Sequence, residues 1–334
     1  MTTPSDQSSR PPTSRRADAP RSSGPITKVC VMGATGFLGR ALCAGLEQSG
    51  ITVHRYSRSM RPGFVTWDPA SGEIDSEPLE GADAVVNLAG EDIAGGRWNA
   101  ARKQVLRDSR LQSTQLLVST LGKLKRPPGV LVNASAVGFY GHRGEDAVFE
   151  QSAPGQGFLA ELCQAWEAAA MPALQRGIRV VIPRFGIILS THGGALARML
   201  QAFKLGVAGK LGGGKQFMSW IALSDAVSVL RFLLTTEVFG PVNAVAPEPV
   251  TNEEFTETLG RIVRRPTLLT VPVFALKATL GELSQVLLEG ANVRPRVLFF
   301  FNDPSTTAIY TNVHTLPLHA ALPIPRAAAR HPRG

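Results

Sequence analysis

Tyrosine is almost missing from this chain. Only Tyr56, Tyr140 and Tyr310 occur in 334 residues, and between Gly141 and Leu200 there is neither a tyrosine nor a lysine. Any chemistry in that stretch must do without a phenol or an ammonium. Cysteine is scarce as well. Cys30, Cys43 and Cys163 are an odd number with no metal-ligand spacing, so they argue against a disulfide scaffold and for small buried residues in a reducing, cytoplasmic setting. His142 and His192 stand in polar segments without a second ligand close by, and no metal is expected. No apolar run approaches the ~18 residues that cross a bilayer, so no membrane partner is expected either.

The formal net charge of +9 raises the question of nucleic acid. Much of the excess sits at the ends, with four Arg against two Asp in residues 1–25 and three Arg against one Asp in residues 299–334. Between them no Lys/Arg stripe alternates with aromatics, which excludes nucleic-acid binding as a main role and leaves a mildly basic cleft for an anionic cofactor. Residues 1–25 are Ser-, Pro- and Arg-rich with almost nothing to bury, and are expected to be a disordered tail.

From Ile26 the text alternates between apolar strand-like runs and helical periods. "ITKVCVMG", "ITVHRYSR", "ADAVVNLAG", "PPGVLVNAS" and "IRVVIPRFGIIL" read as strands, with "FVTWD" as a short one. "GFLGRALCAGLEQSG", Trp98 to Gly122 and "GFLAELCQAWEAAA" read as helices. Strands that are continuously apolar and separated by helices belong to a parallel sheet covered on both faces. The expected fold is therefore α/β, a doubly wound, Rossmann-like parallel sheet over residues 26–190. Residues 191–298 change rhythm, with a Gly-rich basic stretch and short helices carrying N-cap signals at Ser224 and Thr251, and a Leu-rich helix around Gln285. They are expected to form a smaller substrate lobe over the C-terminal edge of the sheet, which can recruit strands from it.

"VMGATGFLGRAL" places Gly33, Gly36 and Gly39 directly after a predicted strand and at the opening of a predicted helix. In that context the first glycine permits the tight turn, the second lets backbone approach a pyrophosphate, and the third lets helix and strand pack closely, with phosphates on the free N–H groups of the helix N-terminus. Thr35, Phe37 and Leu38 complete the expected cradle. From Ile51 to Trp67 there is no Asp or Glu to hold a ribose 2′-hydroxyl, while Arg55, Ser57 and Arg58 are present. A guanidinium suits a 2′-phosphate. Ser57 and Arg58 are therefore expected to select NADP over NAD.

"GATGFLG", "NLAG" at Asn87 to Gly90, "SAVGFYG" at Ser135 to Gly141, "PRFGIIL" and "SWIALSDAV" occur in an order and spacing that resembles the extended short-chain dehydrogenases/reductases, the NAD-dependent epimerase/dehydratase superfamily. "GEDIAGGRW", "FLAELCQAWEAAA", "GGALARML" and "GPVNAVAPEPVTNEEFTETLGR" resemble, more narrowly, its atypical "epimerase family protein" branch, from about Lys28 to Leu298. The resemblance implies an NADP-binding fold and a small-molecule substrate in a monomer or homodimer. It places Asn87, Ala89 and Gly90 on the adenine and pyrophosphate side, Arg110 where relatives often keep an Asn, and Arg184 at the pocket mouth, able to bond an anionic substrate.

The superfamily's Tyr-Lys pair, four residues apart on one helix face, shuttles the proton that accompanies hydride transfer. Here either register, Phe158 with Leu162 or Leu159 with Cys163, leaves that pair out, while Ser135 fills the position of the carbonyl-polarising serine. Three readings stay open: Tyr140 substitutes as the acid/base beside Ser135; water or substrate supplies the proton; or the chain binds NADP without turnover, as a regulator or scaffold. Past Leu298 the periodicity stops, and "FFFNDPSTTAIYTNVHTLPLHAALPIPRAAARHPRG" resembles translated adapter read-through. Residues 299–334 are expected to be a non-native tail in place of the branch's usual C-terminal ending.

Overall fold

The computed structural model describes residues 24–300. The expected tails at 1–25 and 299–334 fall almost wholly outside the described residues. In chain order the first half runs β1 (Lys28–Met32), α1 (Phe37–Gln48), β2 (Thr52–Ser57), β3 (Val65–Asp68), β4 (Glu73–Ile74), β5 (Ala84–Asn87), α2 (Ala100–Leu121), β6 (Val130–Asn133), β7 (Ser135–Ala136), β8 (Ala147–Val148), α3 (Phe158–Ala170) and β9 (Arg179–Phe185). The second half continues with β10 (Ile187–Ser190), α4 (Gly194–Lys204), β11 (Gly209–Leu211), β12 (Phe217–Met218), β13 (Trp220–Ala222), α5 (Leu223–Thr235), β14 (Gly240–Ala244), β15 (Val250–Thr251), α6 (Asn252–Val263), β16 (Leu269–Val271), α7 (Val273–Leu280), α8 (Ser284–Leu288), β17 (Asn292–Val293) and α9 (Val297–Phe300).

The main sheet, nine-stranded among the described residues, runs β14-β9-β6-β5-β1-β2-β3-β4, with β7 beside β9. Every neighbouring pair in it is parallel except β3 with β4. The strand order reverses at β1, which makes its C-terminal end the switch point where ligands bind in open α/β sheets. The period-2 alternation of a strand decides the two layers. On one face Val29 and Val31 of β1 join Val86, Val132 and Val181 under Leu42 and Leu46 of α1 and Val229 and Leu233 of α5. On the other, Cys30 and Met32 join Val85, Leu131 and Val180 under Leu117 and Leu121 of α2. Each fully buried Val or Leu here is worth about 1.5–3 kcal/mol of burial, so both faces must be covered, and the strand runs are apolar on both.

Residues beyond 190 do not stand wholly apart from this sheet. β14 pairs with β9 along its edge, and α5 packs on α1, where Val227 touches Gly45 and Arg231 bonds Ser49. A separate cluster of Leu189, Leu196, Leu200, Phe203, Trp220, Phe255 and Leu259 holds the small lobe together.

Two local expectations need correction. "IRVVIPRFGIIL" is two strands rather than one. The chain breaks at Gly186, where a Cβ would stand 2.6 Å from the Ser219 carbonyl oxygen, and β10 leaves the sheet to pair with β13. Ser224 is not an N-cap. β13 turns directly into α5 at Ala222, and the Ser224 hydroxyl lies inside the first turn, bonded to Asp225 Oδ1 at 3.3 Å. Thr251 does cap α6, in a reciprocal box with Glu254.

Candidate functional site

The loop after β1 is built by close backbone approach. Gly33 has φ of +74°, and a Cβ on it would lie 2.6 Å from Leu88 O; on Gly39 it would lie 2.2 Å from Gly33 O. Both positions therefore exclude any side chain. Gly36 is exposed, its N–H donates to Gly33 O at 2.9 Å, and it caps α1 without a side-chain bond or an acid in the first turn. The N–H groups of Phe37 and Leu38 thus begin a helix whose positive dipole end is uncompensated. The Phe37 ring backs onto Gly193 and Gly194, so the loop entering α4 leans on the cradle; Leu38 packs into the core, and Thr35 O accepts from Arg40 at 2.5 Å.

The neighbouring strand ends supply the rim. Ser57 is buried and its hydroxyl accepts from Ser59 N–H at 3.1 Å, whereas the Arg58 side chain is 66% exposed. Asn87 does not face the cleft. It is fully buried, donates to Thr114 Oγ1 and Asn133 Oδ1, and accepts from Ala89 N–H, so it shapes the turn that presents Ala89 and Gly90. Arg110 is buried beneath Gly90, with its guanidinium 5.1 Å from the Trp166 ring and donating to the carbonyls of Leu106 and Glu91. It supports the loop from behind.

Past the ends of β6 and β9 lies a buried polar block. Arg184, 3% exposed, donates to both oxygens of Glu167 at 2.8 Å each, and also to Tyr140 Oη at 2.9 Å and Glu150 O at 3.1 Å. Its guanidinium carbon stacks 3.5 Å from the Phe139 ring. Ser135 donates to Glu167 Oε1 at 2.6 Å, and Tyr140 donates to Asn243 Oδ1 at 2.7 Å. The Glu150 carboxylate in turn accepts from the N–H groups of Asn243, Arg296 and Val297. Burial pulls Arg184 down, but the bonds and charge of Glu167 outweigh it and its pKa rises. Burial pushes Tyr140 up, with Arg184 only partly opposing, so the phenol stays protonated at neutral pH.

The expectation that Arg184 stands at the pocket mouth is thus corrected: a strand that is buried throughout delivers it to Glu167 inside the protein, because an unpaired guanidinium cannot be buried. The expectation that Tyr140 reaches out beside Ser135 meets the same geometry. Its hydroxyl is spent as donor to Asn243 and acceptor from Arg184, with no exposed surface. Ser135 is itself 3% exposed. Cys163 abuts this block, and burial, with Glu167 adding, pushes its thiol up to about 11.

Sequence reasoning missed Glu167, Glu150, Asn243 and Glu91. A signal existed for the first: Glu167 stands on the same stripe of α3 as the buried Cys163 and Ala170, and a carboxylate on a buried stripe needs a cation. Glu91 carried none. It follows "NLAG", far from β2 in sequence, yet its carboxylate lies 3.6 Å from Arg58 and 3.5 Å from Arg102.

Among the described residues no helix is long and apolar enough to cross a membrane. The sequence model of the NAD dependent epimerase/dehydratase family matches residues 29–245. Epimerase family protein MT2273 of Mycobacterium tuberculosis (strain CDC 1551 / Oshkosh) is 44% identical over 274 residues, covering 81% of this chain and 90% of that protein. The crystal structure of human epimerase family protein SDR39U1 (isoform 2) with NADPH superimposes with a TM-score of 0.73 at 37% identity, covering 81% of this chain and 92% of that one. The Corynebacterium glutamicum nucleoside-diphosphate sugar epimerase structure gives 0.70 at 34% identity, covering 87% of this chain and 57% of that one.

Proposed function

The chain belongs to the NAD dependent epimerase/dehydratase family, and from that premise we propose that it is an NADPH-using, epimerase-like reductase of a small molecule that works without a Tyr-Lys pair. The observation that carries the reading is the open N-terminus of α1 above the crowded Gly33 and Gly39, beside an exposed arginine at the end of β2. These residues fit a dinucleotide phosphate. The cradle has room only for backbone, no acid stands in the first turn of α1, and Arg58 offers its planar fork to a 2′-phosphate. The human relative solved with NADPH supports the same choice.

When bound, the cofactor supplies or accepts a hydride. The chain's own residues bind, orient and exclude water. Phe37 and Leu38 present N–H groups to the phosphates. Asn87 holds the turn at Ala89 and Gly90, and Phe158, Leu159, Leu162 and Cys163 leave the usual acid/base positions apolar. Ser135 keeps its proton on Glu167 and, buried beside Cys163, holds that carboxylate in place under Arg184. The accompanying proton comes from substrate or water, and Tyr140 is a wall residue. A second reading, a non-catalytic NADP-binding regulator or scaffold, is favoured by one observation: the hydroxyls of Ser135 and Tyr140 are both bonded to buried groups.

Native mass spectrometry of the purified full-length protein, with fluorescence titration by NADPH and NADH, tests the proposal. NADPH is expected to bind at least ~10-fold more tightly than NADH, about 1.4 kcal/mol, with the preference lost in Arg58→Ala. Equal affinities for the two cofactors would overturn the NADP reading. Bound NADPH that is never consumed against a broad panel of carbonyl compounds would turn the balance to the regulator.

A further inference from the structure

The strand order puts β1 between β2 and β5, so the ends of those two outer strands stand two strand spacings apart, about 9–10 Å. Arg58 follows β2 and Glu91 follows β5, and their side chains meet at 3.6 Å. The pair therefore arches across the end of β1, over the glycine cradle. This is the one place where a carboxylate approaches Arg58 among the described ion pairs, and it comes from 33 residues further along the chain rather than from the end of β2. The sequence around β2 implies a cation free to take a phosphate; the fold provides it with a counter-ion.

Glu91 is well placed to let go. Its backbone is fixed on both sides, since its N–H donates to Ser109 Oγ at 3.0 Å and its carbonyl accepts from Arg110 at 3.1 Å. Its carboxylate is shared, with the second oxygen 3.5 Å from Arg102 Nη1. Arg102 also has a buried Nε with no partner among the described residues. If Arg58 leaves, Glu91 keeps Arg102 as its cation, so no carboxylate is stranded. The Arg58 side chain is 66% exposed and the Glu91 side chain 31%, which makes their attraction weak and separable.

We infer that Glu91 is a specificity-determining residue: it holds Arg58 across the cleft and must yield it to a 2′-phosphate, so cofactor choice is set by the pair and not by Arg58 alone. This rests on the NADPH reading above. Glu91 lowers affinity for NADPH, because the phosphate competes with it for the same guanidinium, and leaves NADH almost untouched, because a ribose hydroxyl does not compete for Arg58.

The test is a double-mutant cycle on the full-length protein, titrating NADPH and NADH by nicotinamide fluorescence in wild type, Glu91→Gln, Arg58→Ala and the double variant. Glu91→Gln is expected to tighten NADPH about threefold to fivefold, the scale of an exposed ion pair, with NADH unchanged within about twofold. The gain should vanish in the Arg58→Ala background and shrink at high salt. Unchanged or weaker NADPH binding in Glu91→Gln, with the wild-type preference intact, overturns the inference alone. So does a gain that persists without Arg58. Weaker NADH binding in Glu91→Gln overturns it too, and would mean that the carboxylate holds a ribose hydroxyl. A wild type with no preference between the cofactors overturns the NADPH reading itself, and the inference with it.

Discussion

Replacing Glu167 by glutamine removes one charge and little volume, yet it should be among the most damaging single changes in the described fold. Glu167 accepts three bonds: two from Arg184 at 2.8 Å each and one from Ser135 at 2.6 Å. Glutamine offers one acceptor oxygen and an NH2 group, so at least one Arg184 donor meets another donor. Arg184 is 3% exposed and water does not replace the loss. Breaking a buried ion pair from one side costs about 3–5 kcal/mol. A chain of this size shifts its melting temperature by about 2 °C per kcal/mol, so Glu167→Gln should lower the apparent Tm by about 6–10 °C in scanning calorimetry. The glycine cradle and Arg58 share no bond with Glu167, so the Kd for NADPH should stay within about threefold. A Tm drop under about 2 °C would refute the account of Arg184 as a buried cation dependent on Glu167. A loss of NADPH affinity beyond about tenfold would show that the block reaches the cofactor site.

Two further expectations follow from perturbed ionisations. Burial pushes the thiols of Cys30 and Cys163 up to about 12 and about 11, and raises Cys43 as well, so a chromogenic disulfide should label none of them in native protein at pH 8 and all three once denatured. Rapid native labelling of any of them would contradict the packing. Asp83 is pushed up by burial, but the N–H groups of Thr27 and Lys28, the Thr27 hydroxyl and the Lys28 charge outweigh this and hold its carboxyl below the ordinary range. A carboxyl lowered in the folded state stabilises above its unfolded pKa of about 3.9, and that stability is lost as pH falls through the folded value. The Tm gap between wild type and Asp83→Asn should accordingly be flat from pH 5 to 8 and close below about pH 4; a gap that persists at pH 2 would assign it to something other than the charge.

What could be read from the chain by itself is what short-range geometry controls. The Gly33, Gly36 and Gly39 spacing is a statement about local backbone, and so is the capping box of Thr251 and Glu254. The apolar strand runs report a parallel sheet wherever they are placed, and the motif order that pointed to the epimerase/dehydratase family is carried by these same local elements. The missing tyrosine and lysine of α3 are visible without coordinates, because an absent side chain has no partner to find. Even Arg58 was legible as a cation at the end of β2. The partners of charges were not. Arg184 reads as a mouth residue until β9 brings it to a glutamate 17 residues back, and Tyr140 reads as an acid/base until β14 supplies Asn243, 103 residues on. Gly186 reads as part of one strand until Ser219 occupies the space its Cβ would need. Glu91 reads as a loop acid until the strand order sets it across β1 from Arg58. Periodicity and turn chemistry act over a few residues and leave their mark there. Whether a charge faces a ligand or a counter-ion depends on which distant strand ends become neighbours, and only the assembled sheet decides that.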